Sequence, residues 1–223
     1  MASNEVMSGL VTGVISSILF NPIDKLIFMS CISNQSIFDR SIWCNLYKGT
    51  LNTVFTRMIT SGLYFSYIDH YSNITENKFH VAIYTACMCS ITSPIQLVKF
   101  HSWHNNQTSK QSIVSIYKSS GILGFSRGVI ALVSRDFIFN SIYLNFKEKD
   151  KHFYNLSIIA MAISISSPIN LVKNKKYATG ESLKEIFRTF KFSQLGIGAS
   201  ICRSCLSFYA SQLIYDNCKK LLQ

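Results

Sequence analysis

The chain has 223 residues, 48% hydrophobic and only 15% charged, with a formal net charge of +11 and a mean hydropathy of +0.21. About a quarter of a soluble domain is charged, so this composition excludes an ordinary water-soluble fold. Nor does the positive charge indicate a nucleic-acid binder, which needs a basic stripe on a soluble surface.

Three stretches contain no Asp, Glu, Lys or Arg: Val6–Ile23, Phe79–Val98 and His152–Val172. Each approaches the ~20 residues that carry a helix across a bilayer core. The first lacks a basic leading region and a cleavage site, so it reads as a span and not as a secretory signal. The chain's three prolines close these stretches in one recurring phrase: Pro22-Ile-Asp24-Lys25, Pro94-Ile-Gln96-Leu-Val-Lys99 and Pro168-Ile-Asn170-Leu-Val-Lys173. Such a recurrence signals a triplication and predicts repeats at 1–75, 76–151 and 152–223. A proline at the end of each span is expected to kink it.

A second, less apolar stretch follows in each repeat. It opens near Gly49, Gly128 or Gly196, reaches Arg57, Arg135 or Arg203 about two turns later, and ends near Asp69, Glu148 or Asp216. At 1.5 Å per residue the arginine falls near the middle of a span running from glycine to acid. Two spans per repeat predict an all-α membrane protein with six transmembrane helices. Short surface helices are expected on the proline side: one ends at Gly121, another carries Leu183, Ile186, Phe187 and Phe190 on one face. The proline-side segments 24–48, 99–127 and 173–191 hold 13 Lys/Arg against 4 Asp/Glu, which marks that side as internal.

Seven cysteines show no metal-ligand spacing and read as small apolar fillers. His101 and His104 read as polar caps, so no metal and no cofactor is expected. With no His-Glu metal motif, nucleophile elbow or phosphate loop, an enzyme is not expected.

Three copies of the series proline, glycine, arginine, acid resemble the mitochondrial carrier family over nearly the whole chain. Its signature, Pro-x-[Asp/Glu]-x-x-[Lys/Arg], is matched in part by Pro94, Gln96, Lys99 and by Pro168, Asn170, Lys173. The first copy has Pro22 and Asp24, with Ile27 in the basic place. Lys25 lies about 200° away around a helix and cannot substitute for it. The aromatic-basic-Gly element is Tyr47-Lys48-Gly49, and the aromatic-acid-x-x-basic element is intact in Tyr215, Asp216 and Lys219.

The resemblance implies a pseudosymmetric barrel around a central cavity, open to each side in turn. It implies substrate contacts from Arg57, Arg135, Asp136 and Arg203, and kinks at Pro22, Pro94 and Pro168. It implies a matrix-side gate of Asp24, Gln96, Lys99, Asn170 and Lys173, weaker than a full ring because two acid places hold amides. A cytoplasmic-side gate would use Asp69, Glu148, Lys151, Tyr215, Asp216 and Lys219. The implied setting is a monomer in the mitochondrial inner membrane, with another organelle membrane as the alternative. Its partners would be the lipid bilayer, cardiolipin included, and a small-molecule substrate, with no nucleic acid polymer. The short chain and its bias to Ile, Asn, Lys, Phe, Tyr and Ser resemble compact giant-virus nucleotide carriers, in which case the membrane is the host's.

Three arginines favour an anion, because guanidinium forks grip phosphate or carboxylate; nucleotides or deoxynucleotides rank first. The Arg135-Asp136 pair resembles carriers of amino-acid, carnitine or adenosylmethionine-type zwitterions, which rank second. A non-transporting membrane scaffold or a proton leak is the reading from another class.

Overall fold

A computed structural model describes residues 2–33, 43, 45–58, 77–148 and 152–221, and among these every regular element is helical. In chain order the helices are α1 (Ala2–Ser33), α2 (50–58), α3 (Lys78–Cys89), α4 (Ser93–His104), α5 (Ser109–Ser120), α6 (Val129–Phe146), α7 (His152–Ala178), α8 (Leu183–Arg188) and α9 (Ile197–Leu221). Among the described residues three stretches are long and apolar enough to cross a membrane: Leu10–Ser33, Lys78–His104 and Phe153–Ala178. They overlap the three charge-free runs of the sequence.

The apolar stretches do not end as helices at their prolines. α1 continues through Pro22 and α7 through Pro168. An interior proline loses one backbone hydrogen bond and crowds the preceding turn. Packing downstream outweighs that cost, since Leu26, Phe28, Leu171, Tyr177 and Ala178 are all buried. Pro94 differs. It sits in the first turn of α4, after a 3-10 turn at Ser90–Thr92 that separates α3 from α4. There the missing N–H has no intrahelical partner to lose.

α1 packs on α9, α9 on α7, α7 on α6 and α6 on α3, and α4 packs on α7. The three glycines of the repeat close this arrangement. Gly49, Gly128 and Gly196 immediately precede α2, α6 and α9, all with positive φ (79°, 75° and 56°). A Cβ on Gly49 would lie 2.8 Å from Trp103, one on Gly128 2.8 Å from Tyr177, and one on Gly196 2.8 Å from Cys31. Trp103, Tyr177 and Cys31 each stand nine residues after a proline. The glycine of one repeat thus meets the same position of the next, in cyclic order. Trp103 also donates its Nε1–H to the Lys48 carbonyl at 2.6 Å.

Gly49→Ala is expected to destabilise the protein by about 2–3 kcal/mol, from left-handed backbone strain and overpacking against Trp103 together. Thermal unfolding in detergent measures it, and a loss under about 0.5 kcal/mol would remove that contact from the account.

Polar side chains tie the spans to the loops. Asn21 is fully buried, donates to Leu46 O (3.2 Å) and Thr50 Oγ1 (2.9 Å), and accepts from Thr53 Oγ1 (2.6 Å). Lys25 donates to Asn45 O at 2.9 Å, a loop contact in keeping with its wrong phase for the signature. The short helices are capped from their own sequence. Thr108 and Gln111 form a capping box on α5, Ser182 and Glu185 one on α8. The Ser182 N–H and hydroxyl hold the exposed Glu185 carboxyl below its ordinary pKa. Gly121, with φ +60°, stops α5.

Candidate functional site

A cavity of about 510 Å³ lies among α1, α2, α3, α4, α6, α7 and α9, within the ~300–1,000 Å³ typical of small-molecule sites. Its wall includes Arg57, Arg135, Asp136 and Arg203, and also Asp24, Gln96, Lys99, Asn170 and Lys173. The residues expected at a substrate site and those expected at the matrix-side gate therefore share one chamber.

Two arginines are engaged by carboxylates. Arg203 on α9 grips Asp24 on α1: Nη2 donates to Oδ2 at 2.9 Å, and Nε lies 2.7 Å from Oδ1 as an ionic contact without hydrogen-bond alignment. Arg203 also lies over the Phe20 ring, 5.6 Å from its centroid. Arg135 donates to its neighbour Asp136 through Nη1 alone, at 2.5 Å, and faces the Phe139 ring at 5.7 Å. Its Nε is buried without a hydrogen-bond partner among the described residues. Arg135 is thus held by one edge of its fork, Arg203 by two atoms. Arg57 lies within electrostatic range of both pairs.

Of the residues expected at the matrix-side gate, Asp24 turns its carboxylate to Arg203 and lies within electrostatic range of Lys99. A planar guanidinium matches both carboxylate oxygens, whereas an ammonium is a single point charge. Lys99 and Lys173 are buried beside aromatic faces. Lys99 lies 4.4 Å from the Trp103 centroid and 5.2 Å from that of Phe100, and Lys173 lies 5.5 Å from that of Phe100. Such cation–π contacts stabilise by about 0.5–2 kcal/mol each.

Those rings draw α1, α4 and α7 together. Centroids are 4.6 Å apart for Phe28–Phe100, 5.6 Å for Phe28–Trp103, 5.4 Å for Phe100–Trp103 and 5.8 Å for Phe100–Tyr177. The buried hydroxyls of Ser93 and Tyr177 lie 2.7 Å apart and link α4 to α7. Gln96 donates to Thr92 Oγ1 at 3.2 Å, reaching back to the residue that precedes α4.

The other gate is described only in part. Glu148 is exposed and lies past the end of α6, where Asn155 brackets its backbone: Glu148 N–H donates to Asn155 Oδ1 (3.0 Å) and Asn155 Nδ2 donates to Glu148 O (2.8 Å). Asp69 and Lys151 lie outside the described residues. Tyr215, Asp216 and Lys219 lie on α9, their side chains outside the description.

Sequence reasoning missed several wall residues. Cys89, read as apolar filler, lines the cavity, as do Phe28, Phe100, Asn140 and Asn174. A signal existed for three of them: Phe28, Phe100 and Asn174 each stand six residues after a proline. Among the described residues no cluster of His, Cys, Asp and Glu is suited to a metal ion.

The family model described as mitochondrial carrier protein matches residues 81–157, from α3 into the first turn of α7. No curated protein matches the chain. The matched segment contains the Pro94 phrase, Gly128 and the cavity residues Arg135 and Asp136, and Gly49 and Gly196 occupy structural places equivalent to that of Gly128. This match over 81–157 supports membership of the mitochondrial carrier family, whose members are membrane solute carriers.

Proposed function

We propose that the chain exchanges an anionic metabolite across a membrane, with nucleotides or deoxynucleotides as the first choice of substrate. The supporting observation is the charge of the cavity wall. Among the described wall residues Arg57, Lys99, Arg135, Lys173 and Arg203 face Asp24 and Asp136, a formal excess of three positive charges. Concentrated in a low-dielectric chamber, that excess favours a multiply charged anion over a neutral or cationic solute. Substrate would draw on the one-edged Arg135, on Arg57 and Arg203, and on the two lysines.

In this reading α2, α6 and α9 complete six spans, and the cavity faces each side of the membrane in turn. Contacts across the proline side involve the Phe28–Phe100–Trp103–Tyr177 rings together with Asp24, Gln96, Lys99, Asn170 and Lys173. Asp69, Glu148, Lys151, Tyr215, Asp216 and Lys219 would act on the opposite side. One chain encloses the cavity, which supports action as a monomer. The mitochondrial inner membrane is the proposed site and cardiolipin a lipid partner. The chemistry is movement of solute, not catalysis.

The second reading, a zwitterion carrier, is favoured by the 2.5 Å Arg135–Asp136 contact, which offers opposite charges side by side. A thermal-shift panel of nucleoside triphosphates, deoxynucleotides, tripolyphosphate, amino acids, carnitine and adenosylmethionine separates the two. A ligand at 100 times its Kd stabilises by about 2.7 kcal/mol. Protection by triphosphates is expected; protection by zwitterions alone would overturn the anion assignment. If a ligand protects yet liposomes show no exchange, a scaffold role replaces transport.

A further inference from the structure

The pseudosymmetry of the cavity breaks along α7. Ser166, Asn170 and Asn174 are four residues apart and stand on one face of that helix, a ribbon about 12 Å long, and all three line the cavity. The equivalent positions are Phe20, Asp24 and Phe28 on α1, and Thr92 just before α4 with Gln96 and Phe100 on it. Two helices present an aromatic ring six residues after the proline, where the third presents an amide.

Packing does not account for that amide. Asn174 is 6% exposed, and its Oδ1 is buried without a partner among the described residues. An unsatisfied buried amide is costly, and phenylalanine already serves at both equivalent places. A three-fold chamber needs no asymmetry to hold a symmetric anion. It needs asymmetry to orient a solute whose two ends differ.

We infer that the Ser166–Asn170–Asn174 face of α7 is a specificity wall that hydrogen-bonds the uncharged polar part of the substrate, while the cationic residues hold its anionic part. This inference rests on the anion reading given above. The uncharged character follows from the neighbourhood. Lys173 adjoins Asn174 in sequence, and Lys99 lies in the same chamber, so an ammonium group would be repelled there. A neutral N–H, O–H or carbonyl group can meet an amide, which donates from one end and accepts at the other. The solute class is thus an anion that carries a neutral hydrogen-bonding moiety, as a nucleotide's base or sugar does, in contrast to a bare polyphosphate.

The test compares ATP, GTP, CTP and UTP with tripolyphosphate on the full-length protein, by thermal shift in detergent and by exchange in liposomes. Asn174→Leu is expected to weaken the best nucleoside triphosphate about tenfold, the size of one lost buried hydrogen bond, and to leave tripolyphosphate unchanged. Asn174→Phe restores the residue of the equivalent positions and provides a folded second variant with the same expected selectivity. Equal weakening of both probes, or of neither, would overturn the inference while leaving the anion reading intact. If neither probe protects the unmodified protein, the anion reading falls and takes the inference with it.

Discussion

Asp24→Asn is expected to lower stability by about 3 kcal/mol, the scale of breaking one partner of a buried ion pair. The loss comes from what remains, not from the bond alone. Arg203 is 15% exposed in its side chain and Asp24 23%, so the variant leaves a guanidinium in a chamber that already holds an excess of cations. The pair joins α1 to α9, the first and last helices among the described residues, which pack against each other. Removing both charges with Asp24→Asn and Arg203→Leu should restore much of the loss, because no isolated charge is then left. A double-mutant cycle of thermal unfolding in detergent reads the coupling. A single-variant loss under about 1 kcal/mol, typical of solvent-exposed pairs, would mean that cavity water screens the contact. In that case Arg203 would be available to substrate without first leaving Asp24.

Much of the frame is written locally in the sequence. The absence of charge marks the three apolar spans, and the proline phrase sets their register. Gly49, Gly128 and Gly196 mark helix starts because only glycine accepts positive φ at no steric cost. Phase also disposes of Lys25, which faces a loop carbonyl. What was illegible depends on partners distant in sequence. Asp24 and Arg203 are separated by 179 positions, and no local signal told Asp24 to choose that arginine over Lys99. The ring faces beside Lys99 and Lys173 appear only once α1, α4 and α7 come together. Asn174 was overlooked for a different reason. Its meaning lies in how it differs from Phe28 and Phe100, and that comparison gains force when all three are seen on one wall. The helices also run past Pro22 and Pro168 because tertiary burial of the following turns outweighs a local break.

The substrate class can be tested through charge alone. Arg135→Ala reduces the cavity excess from three to two and leaves Asp136, itself 8% exposed, without the contact at 2.5 Å. Exchange is expected to fall by at least about 30-fold, the lower end of truncating one member of a buried charged pair. The double variant Arg135→Ala/Asp136→Ala separates the two readings. It removes one charge of each sign and restores the excess of three. If the cavity selects a multiply charged anion by its summed field, the double variant should recover a measurable part of the exchange lost in the single one. A zwitterion carrier behaves in the opposite way. There Arg135 and Asp136 are themselves the recognition elements, and deleting both leaves nothing to distinguish the two ends of the solute. Counter-exchange in liposomes, with both variants matched for thermal stability, decides it. A double variant as inactive as the single one would reject selection by the summed charge and make Arg135 an indispensable direct contact.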